Sequence, residues 1–595
     1  MKTIFSKFTL FRWMILVIIV ILIVLINVIG HYTSFRFDMT EDQRYSLSAG
    51  TESYLEKIKT LDNRINMKLY LEGELPSELR SFKNALEEKL KDFKATAGDR
   101  IKYSFIDPND GSANDRKVLF EDFKANGVYP TEVKYKNNGK VTRLIFWPVA
   151  VLSFSGGVIA PDQYIQLIPP TPMDNPLTSD NIQNVVERAI NNLEYELVNG
   201  IRKITSIRKK KIGLLQGHGE LNGKDLLHAL SLISPFYSID TVSIRSNTLA
   251  LNDFDAIIIA DPQTPYSESD LFTLDQFVMK GGNLLCFMNT LKIPQNELFL
   301  KGSVIAQRKN LNLQNMLFDY GFKINDNLLI DANYITKFDP RFEDPKIPWY
   351  YKILSTNTKN SIVKNIEPVS LEYVNQIEFT NNKVEPILTT STNSYKSGLS
   401  PLIQLDMASM FDQTDLKLAP NPNDENNKLC IAAMIDGYLD SYSYNRVVIK
   451  DTNNPYAKKI KKSIKPAKIV VIGNGSCFSN SYYEPTFVRN IGQWELKKQY
   501  NGPHSLYMDH DDYSLKIQRK LGNADFFMNT IDFIMDNSYM LEIRSKQVDI
   551  RAIDKSKVTK NANYYKLINL VLPITMILIL GIIIALFRRI RYTKP

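Results

Sequence analysis

The stretch KIGLLQGHGELNGKD, residues 211–225, holds the residue types of an active site. Apolar residues run into Gln216, and His218 and Glu220 follow, separated by single glycines. Imidazole and carboxylate groups at the edge of a sheet can transfer protons or bind a ligand. The simpler interpretation is a tight turn, because the glycines let the backbone leave a strand sharply. A vestigial or ligand-sensing pocket stays open as the alternative.

Cysteine chemistry is the next possibility. A nucleophilic cysteine needs a strand-to-helix elbow and a histidine partner. Cys286 lies inside the apolar run LLCFM without flanking glycines, and Cys477 follows GNGS without a paired histidine motif nearby. Cys430 also lies in an apolar run, and three cysteines do not form a disulfide framework. We therefore expect neither a cysteine hydrolase nor any other enzyme.

Two groups of residues could in principle bind a metal ion. The spacing of His218, Glu220 and His228 matches no zinc signature. The densest group of possible ligands is better interpreted as a solvated acidic loop: His504, Asp509, His510, Asp511 and Asp512. We expect no metal and no cofactor. The sequence also lacks a Walker A motif, so any associated ATPase is another chain.

The net charge of +9 belongs mainly to the two ends of the chain. Residues 13–29 and 567–587 are uncharged apolar runs, each long enough to be a membrane helix. The first has a long apolar core and no A-x-A-like site, which favours an uncleaved anchor over a signal peptide. The basic residues that flank each apolar run lie between the run and the nearer end of the chain: Lys2, Lys7, Arg12, Arg588, Arg589, Arg591 and Lys594. The positive-inside rule then predicts cytoplasmic termini and periplasmic residues from about 31 to 565. Because the basic excess lies at the ends and not on a binding face, we expect no nucleic-acid partner.

Two internal basic runs, RKKK at 208–211 and KKIKKSIKPAK at 458–468, precede strand-like segments. We interpret them as solvated edges. Contact with an anionic lipid surface is the alternative.

The second apolar run has features that a simple tether does not need. Asn569 can hydrogen-bond across a helix interface, Pro573 frees a backbone carbonyl, and Gly581 permits close helix approach. We predict that these residues dock a membrane partner. Proline and glycine are also common in membrane helices generally, which is the simpler explanation.

The segment after the first run alternates strand and helix patterns. INMKLYL and IKYSFIDP are strand-like, with a helical pattern between them, and Asn137-Asn138-Gly139 marks a hairpin. The order is similar to a thioredoxin-type fold, with Pro130 at the cis-proline position and no cysteine to support redox activity. A generic α/β sandwich is the alternative.

A second region alternates strands with short helices from residue 209, which predicts a parallel sheet. The pattern lapses from about 291 to 466 and then resumes at AKIVVIGNGS. The carboxyl ends of parallel strands meet at one edge, where open sheets bind ligands. The ligand-rim candidates are Gln216, His218, Glu220, Asp261 and Asn474.

An ordered set of motifs carries a family resemblance. The motifs are DMTEDQRYSLSAGT (38–51), LLQGHGE, SESDLFTLDQFVMKGGNLL, IAAMIDGYLDSYSYNR, RSKQVDIRAID and NLVLP (569–573). The chain resembles the GldG family, auxiliary membrane subunits of the gliding-motility ABC transporter of Bacteroidota. Each motif alone is weak, but together they span nearly the whole chain in the right order.

The resemblance implies a non-enzymatic subunit of an ABC transporter linked to gliding motility and protein secretion. Its implied partners are a permease in the membrane, a cytoplasmic ATPase through that permease, the lipid bilayer and a periplasmic protein. It also implies that the second domain resembles the flavodoxin-like fold of class I glutamine amidotransferases. A periplasmic solute-binding subunit that uses the 216/261/474 rim and a degenerate hydrolase are the alternatives.

The expected organisation is α/β, flanked by two membrane helices in the bacterial inner membrane. Its parts are a cytoplasmic N-terminus (1–12), membrane helix 1 (13–30), a juxtamembrane segment (31–60), a thioredoxin-like domain (61–175), a linking helix (176–208), an amidotransferase-like domain (209–540) with an insertion at about 291–466, a juxtamembrane return strand (541–566), membrane helix 2 (567–587) and a cytoplasmic tail (588–595).

Overall fold

The structure is a computed structural model of the 595-residue chain. It describes residues 46–137, 140–155, 161–170, 176–178, 181–205, 209–245, 247, 249–338, 346–405, 418–419, 421, 423–446, 459–480, 483–490, 493–500, 521–535, 538–546 and 562–592, with Ile18, Ile21 and Leu22. Most of the first predicted membrane helix, the tip of the Asn137–Gly139 turn and the loop 504–512 lie outside the described residues.

The N-terminal domain is a mixed four-stranded sheet covered by helices. Its order is β2-β1-β5-β6, with β1 parallel to β2 and antiparallel to β5. A separate three-stranded sheet has the order β4-β3-β7. The elements are α1 (Ala49–Lys59), β1 (Arg64–Leu69), α2 (Ser77–Ala97), β2 (Ile101–Phe105), α3 (Ala113–Ala125), β3 (Thr131–Asn137), β4 (Lys140–Phe146), β5 (Val149–Ser155), β6 (Gln163–Gln166) and β7 (Leu177–Thr178).

Local signals in the sequence explain where these helices begin. The Ser48 hydroxyl accepts a hydrogen bond from the Thr51 amide and caps α1. Ser112 and Asp115 form a reciprocal capping box at α3. Along α2 the buried residues recur at helical spacing, so one face packs on the sheet: Leu79, Phe82, Leu86, Leu90 and Phe93.

One detail of the thioredoxin-type expectation is wrong. The peptide bond before Pro130 is trans, and no described residue follows a cis bond. The hairpin β3–β4 does not join the sheet of β1 and β2, because β5 takes the position beside β1. The sequence marks the hairpin correctly, but a turn motif carries no information about the sheet in which its strands pair.

A long helix, α4 (Ile182–Thr205), follows the N-terminal domain at the position of the predicted linking helix. Its buried apolar residues complete the N-terminal core, including Leu193, Leu197 and Ile201. Two charged side chains, Glu194 and Arg202, are buried on the same helix.

The second domain contains an eight-stranded sheet of order β20-β23-β26-β27-β11-β10-β8-β9. The strands β9, β8, β10, β11 and β27 are parallel, and numbered along the chain they follow the doubly wound order 2-1-3-4-5. The remaining strands β26, β23 and β20 extend the sheet antiparallel. These last three strands belong to the region where the sequence pattern lapses, so the sheet is mixed and not purely parallel as expected.

The elements of this sheet and its covering helices are short. They are β8 (Lys211–Leu215), α5 (Leu227–Ile233), β9 (Ser238–Val242), β10 (Ala256–Ala260), α6 (Glu268–Met279), β11 (Asn283–Phe287), β20 (Thr356–Asn357), β23 (Glu385–Thr389), β26 (Cys430–Gly437), β27 (Ala467–Ile472) and α9 (Asn523–Ile534). The capping box of Ser267 and Asp270 begins α6, and Gly281 with φ 92° follows its end.

Small antiparallel pairs build the rest of the insertion region. Its elements are β12 (Leu291–Lys292), α7 (Gln295–Lys301), β13 (Ser303–Ile305), β14 (Gln307–Arg308), α8 (Leu313–Tyr320), β15 (Phe322–Ile324), β16 (Leu329–Asp331), β17 (Lys337–Phe338), β18 (Lys346–Ile347), β19 (Lys352–Leu354), β21 (Ser370–Glu372), β22 (Ile377–Phe379), β24 (Ser394–Lys396) and β25 (Leu402–Gln404). A hairpin of β28 (Tyr483–Asn490) and β29 (Gln493–Tyr500) follows later.

The segment after α9 differs from its prediction. Residues 538–545 form a helix, α10 (Ser538–Ser545), where the motif YMLEIRSKQVDIRAID predicted a strand. Met540 and Ile543 of α10 are buried in the core of the N-terminal domain. Tertiary packing against α1 therefore overrides the strand pattern, while residues 547–561 of the predicted return strand lie outside the described part.

Residues 548–595 are a second compact unit. They contain α11 (Ala562–Tyr592), with Pro573 inside the helix. Among the described residues, one segment is long and apolar enough to cross a membrane, namely the 25 residues Lys566–Ile590 with a mean hydropathy of 3.0. Pro573 lacks the amide that would bond to the carbonyl of Asn569, so two of the predicted docking residues mark the same turn. At Gly581 an added Cβ would meet no described atom, which leaves this position open to a neighbour.

Candidate functional site

The carboxyl edge of the parallel sheet brings together the predicted rim. Gln216 follows β8, Asp261 follows β10 and Asn474 follows β27, as the topology requires. The Gln216 side chain donates to the Leu221 carbonyl at 2.9 Å. Asn474 is fully buried, and its amide donates to the Glu372 carbonyl on β21. Both side chains therefore hold neighbouring loops of the chain.

His218 and Glu220 lie beside the rim in a buried network. Gly217 and Gly219 have φ angles of 130° and 78°, so the sharp turn needs both glycines. The Glu220 carboxylate accepts from the His218 amide at 2.7 Å and from the Tyr266 hydroxyl at 2.6 Å. The tight turn predicted from the sequence is thus confirmed, and the Glu220 carboxylate stabilises it by accepting the hydrogen bond from the His218 amide.

The imidazole of His218 connects this turn to helix α6. It stacks on the Tyr266 ring with centroids 3.8 Å apart, and its Nε2 lies 3.3 Å from Asp270. Burial would lower the pKa of His218, but the hydrogen bonds and charges of Asp270 and Glu220 raise it to about 9. The ring is therefore a buried imidazolium between two carboxylates at neutral pH.

Asp261 is the centre of the second network on this edge. Its backbone has a φ of 47°, and its Oδ1 accepts from the buried Lys309 ammonium at 2.9 Å. The neighbouring Asn289 accepts from the Gly475 amide at 2.7 Å and donates to the Tyr373 carbonyl at 2.5 Å. A Cβ at Gly475 would collide with the Asp261 carboxylate, so the two loops are in direct contact.

The insertion region covers the rim. Lys309 and Tyr373 come from it, and Asn375 adds a buried amide that accepts from the Thr290 amide at 2.9 Å and donates to the Asn327 carbonyl at 2.6 Å. The polar groups of the edge thus bond to the chain itself.

The cysteines of the described residues are three free thiols. Cys286 and Cys477 are buried, and burial raises the pKa of both thiols above their ordinary range. His228 is half-buried on α5, and burial lowers its pKa. Among the described residues, no cluster of three or more histidine, cysteine or carboxylate side chains could hold a metal ion.

We predict that Cys286→Ala and Cys477→Ala leave biological function intact. Removing a small buried side chain should lower the free energy of unfolding by about 1 kcal/mol or somewhat more. Function and protein level in cells, measured for each variant beside wild type, check this. Loss of function at an unchanged protein level would restore the hydrolase hypothesis.

The buried His218 imidazolium is expected to make the stability of the chain depend on pH. Its pKa of about 9 in the folded chain lies above the ordinary 6.5, so its stabilising contribution is complete below about pH 6.5 and is lost as the pH rises through 9. His218→Gln should therefore cost most melting temperature at pH 6 and progressively less toward pH 9. A difference from wild type that stays constant over this range would contradict the assignment.

A second cluster, which the sequence analysis missed, centres on Glu194 of α4. We call Ser46, Ser48, Thr51, Lys89, Glu194 and Lys546 the Glu194 junction. The Oε1 atom of Glu194 accepts from the Ser48 amide at 2.7 Å and from the hydroxyls of Ser48 and Thr51, both at 2.6 Å. Its Oε2 lies 3.4 Å from the Lys89 ammonium and 3.3 Å from that of Lys546.

The Glu194 junction brings residues 46–51 together with Lys546, near the C-terminal end of the larger unit. Ser46 and Ser48 belong to the segment after the first apolar run, and Lys546 closes α10 before the C-terminal unit. Lys546 also donates to the Ser46 carbonyl directly. Burial would raise the pKa of Glu194, but the charges of Lys89 and Lys546 and the hydroxyl hydrogen bonds lower it to about 2.

Aromatic and glycine contacts reinforce the same meeting of α1 and α10. The rings of Tyr54 and Tyr539 stack at 4.9 Å with an angle of 12°. A Cβ at Gly50 would collide with the Tyr539 carbonyl, so α10 can approach α1 only over a glycine. Residues 46–54 and 539–546 are thereby held together by one buried carboxylate and one close helix contact.

Comparison with known families gives the geometry a context. Residues 209–503 match a family model described as ABC-type uncharacterized transport system. The match supports an auxiliary protein of an ABC transporter. Residues 41–153 match a domain of unknown function, DUF7088. The matched ranges thus include Ser46, Ser48 and Thr51 of the Glu194 junction in one segment and the whole described rim in the other.

One curated relative and one solved structure complete the comparison. An uncharacterized protein of Borreliella burgdorferi is 22% identical over 414 residues, which cover 66% of this chain and 68% of the relative. The structure titled mmIFT52 N-terminal domain aligns with 45% of this chain and 88% of its own, at 12% identity and a TM-score of 0.27.

Proposed function

We propose that this chain is a non-catalytic auxiliary membrane subunit of an ABC transporter. It carries a large α/β body outside the membrane and docks a permease through its membrane helix. The observation that carries the proposal is the carboxyl edge of the parallel sheet, where Asp261, Asn289 and Asn474 bond to the chain itself. A subunit that acts by binding other proteins has no need of an open edge there.

The membrane helix and the family match support the same role. An apolar helix of 25 residues attaches the body to a bilayer, and the family match connects the body to ABC transport. The chain has no Walker A motif, so the ATPase belongs to a partner. The proposed partners are a permease in the membrane and, through it, a cytoplasmic ATPase.

The finer parts of the proposal rest on sequence. The terminal basic residues support cytoplasmic termini and a periplasmic body between about 31 and 565 in the inner membrane. Gliding motility and the secretion linked to it rest on the resemblance to the GldG family alone. The thioredoxin-like assignment of the first domain is supported by the order β2-β1-β5-β6, and the amidotransferase-like assignment of the second by the order 2-1-3-4-5 of its parallel strands.

Replacing the membrane helix tests the docking role. In one chimera, residues 567–587 become an unrelated leucine-alanine span of equal length. In the matched control the same span retains Asn569, Pro573 and Gly581 at their positions. We expect the control to co-purify with the permease and ATPase from native membranes, and the first chimera to lose both while inserting at a normal level. Equal recovery of the partners by both chimeras would contradict docking through these residues.

A further inference from the structure

A cavity of about 640 Å³ opens at the amino edge of the central sheet, opposite the closed rim. It lies where β8, β10, β11 and β27 begin, because parallel strands start at a common edge. Its volume falls in the range of small-ligand sites, about 300–1,000 Å³. Four lysines and two aspartates contribute to its lining: Lys210, Lys280, Lys465, Lys468, Asp255 and Asp436.

The fold brings the two basic runs of the sequence together here. Lys210 belongs to the run at 208–211, and Lys465 and Lys468 belong to the run at 458–468. Lys280 joins them from the end of α6. The sequence analysis interpreted each run as a solvated edge, but the fold places lysines of both runs in the lining of one cavity.

Both carboxylates of the cavity already have partners. Asp255 accepts from the Lys211 amide at 2.8 Å, and Asp436 lies 3.6 Å from the Lys468 ammonium. The lining therefore has four lysines against two aspartates, a net charge of +2, and Lys210, Lys280 and Lys465 have no carboxylate within ion-pair distance among the described residues.

The lysine ammoniums are held in place but retain donors. Lys210 donates to the Met535 carbonyl at 2.7 Å, and Lys280 donates to the Asn252 side chain at 2.8 Å. An ammonium has three N–H donors, so each can still bind an anion. The bond from Lys210 to Met535 caps the end of α9. Helix capping does not explain why three lysines without a carboxylate partner line the same cavity.

The rest of the lining favours an organic anion over a bare ion. Leu251, Phe254, Phe277 and Met535 supply apolar surface, and the Asn252 and Asn283 amides supply further polar groups. Gly282 cannot carry a side chain, because a Cβ there would collide with the Phe277 ring. The backbone of the cavity thus stays open between its cationic and apolar parts.

We propose that this cavity binds a phosphate-bearing organic anion, with Lys210, Lys280 and Lys465 around the phosphate and the apolar residues against its organic part. Phosphate oxygens are strong acceptors that pair with lysine as a point charge. The phosphate can belong to a soluble compound or to a lipid headgroup, since both present the same group. The site goes beyond the proposed transport role and does not depend on it.

Lysine modification on the full chain tests the site. The chain is placed in phosphatidylcholine nanodiscs at about 150 mM salt, where interactions between distant surface charges are screened. Glycerol 3-phosphate is the soluble probe, and phosphatidylglycerol mixed into the disc is the lipid probe. The rate at which an amine-reactive reagent modifies Lys210 is followed by mass spectrometry, with the exposed Lys224 as an internal reference.

We expect one of the two probes to slow modification of Lys210 and leave Lys224 unchanged. For the soluble probe the slowing should reach about tenfold near ten times its Kd, as the free fraction falls. The variant Lys280→Glu/Lys465→Glu should lose this protection, while Lys224→Glu/Lys396→Glu, with the same charge change at other exposed positions, should keep it. Protection by glycerol 3-phosphate identifies a soluble ligand, and protection by phosphatidylglycerol alone identifies a headgroup. Lack of protection by both probes, or protection that persists in the first variant, would overturn the proposal.

Discussion

Glu194→Ala is expected to lower the free energy of unfolding by about 3–5 kcal/mol, because it leaves two partly buried ammoniums without their carboxylate. Lys89 and Lys546 both lie within 3.4 Å of Glu194, and their side chains are only 12% and 13% exposed. The Ser48 and Thr51 hydroxyls lose their acceptor at the same time. Denaturant unfolding of the full chain, followed by circular dichroism, measures the change.

The same helix offers a matched control. Glu187 lies two turns before Glu194, and its carboxylate accepts only from the Gln183 side chain among the described residues, at 3.0 Å on the surface. Glu187→Ala should cost less than about 0.5 kcal/mol. Equal costs for the two variants would mean that the Glu194 junction contributes nothing beyond helix propensity.

Acidic pH provides a second reading of the Glu194 junction. The pKa of Glu194, about 2 in the folded chain, lies below the ordinary 4.5. Its contribution to stability is therefore complete above about pH 4.5 and is lost as the pH falls through 2. The difference in stability between wild type and Glu194→Ala should therefore shrink between these values. A difference that grows on acidification would contradict the charged state of Glu194.

Asp532→Ala is expected to destabilise the chain by about 3–5 kcal/mol, since it removes the carboxylate that lies 2.8 Å from the buried Arg202 guanidinium. Arg202 on α4 and Asp532 on α9 form an ion pair at 2.8 Å, and both side chains are about 5% exposed or less. The Tyr237 hydroxyl donates to the same carboxylate at 3.0 Å, while Arg202 donates to the Tyr237 hydroxyl at 2.6 Å. This triad connects the linking helix to the second domain.

A double variant distinguishes the contribution of the ion pair from the cost of leaving one buried charge without the other. Arg202→Leu/Asp532→Leu removes both charges, and the replacement of a buried pair by apolar residues is often close to neutral. It should therefore be clearly more stable than Asp532→Ala. The exposed pair Lys301–Glu297, at 2.8 Å, is the control, and Glu297→Ala should cost under about 1 kcal/mol. A double variant less stable than Asp532→Ala would contradict this account of the triad.

The sequence predicts the parallel part of the fold well because its signals are local. Alternating strands and helices, the Ser267 cap and the glycines of the β8 turn each act over a few residues. From these signals follow the edge where Gln216, Asp261 and Asn474 end their strands. The sequence does not predict that the chain itself covers this edge, because Lys309 and Tyr373 reach it from a region without a periodic pattern.

The Glu194 junction had a signal that could have been found. Ile190, Leu193, Leu197 and Ile201 form one apolar stripe on α4, and Glu194 lies within that stripe. An acidic residue on a buried face requires a partner, so the position marks an internal ion pair. The identity of that partner could not be predicted, because Lys546 is more than 350 residues away in the sequence.

Helix α10 shows the opposite case, in which a local pattern misleads. The segment from Tyr539 onward alternates in a strand-like manner, yet its buried residues Met540 and Ile543 pack on the N-terminal core as a helix. The antiparallel strands β23 and β26 were missed for a related reason. Their sequences lie between loops rich in asparagine and proline, and the pairing of β26 with β27 and of β23 with β26 supplies the order that the local pattern lacks.

ATP hydrolysis by the complex isolated from native membranes tests the central claim most directly. The rate is measured with the wild-type chain, without the chain, and with a chain that carries Cys286→Ala and Cys477→Ala. A non-catalytic auxiliary subunit predicts that the ATPase and permease co-purify with the chain, that its removal changes the rate, and that the thiol variant equals wild type. A chain that purifies without an ATPase, or a rate that does not depend on its presence, would contradict the account.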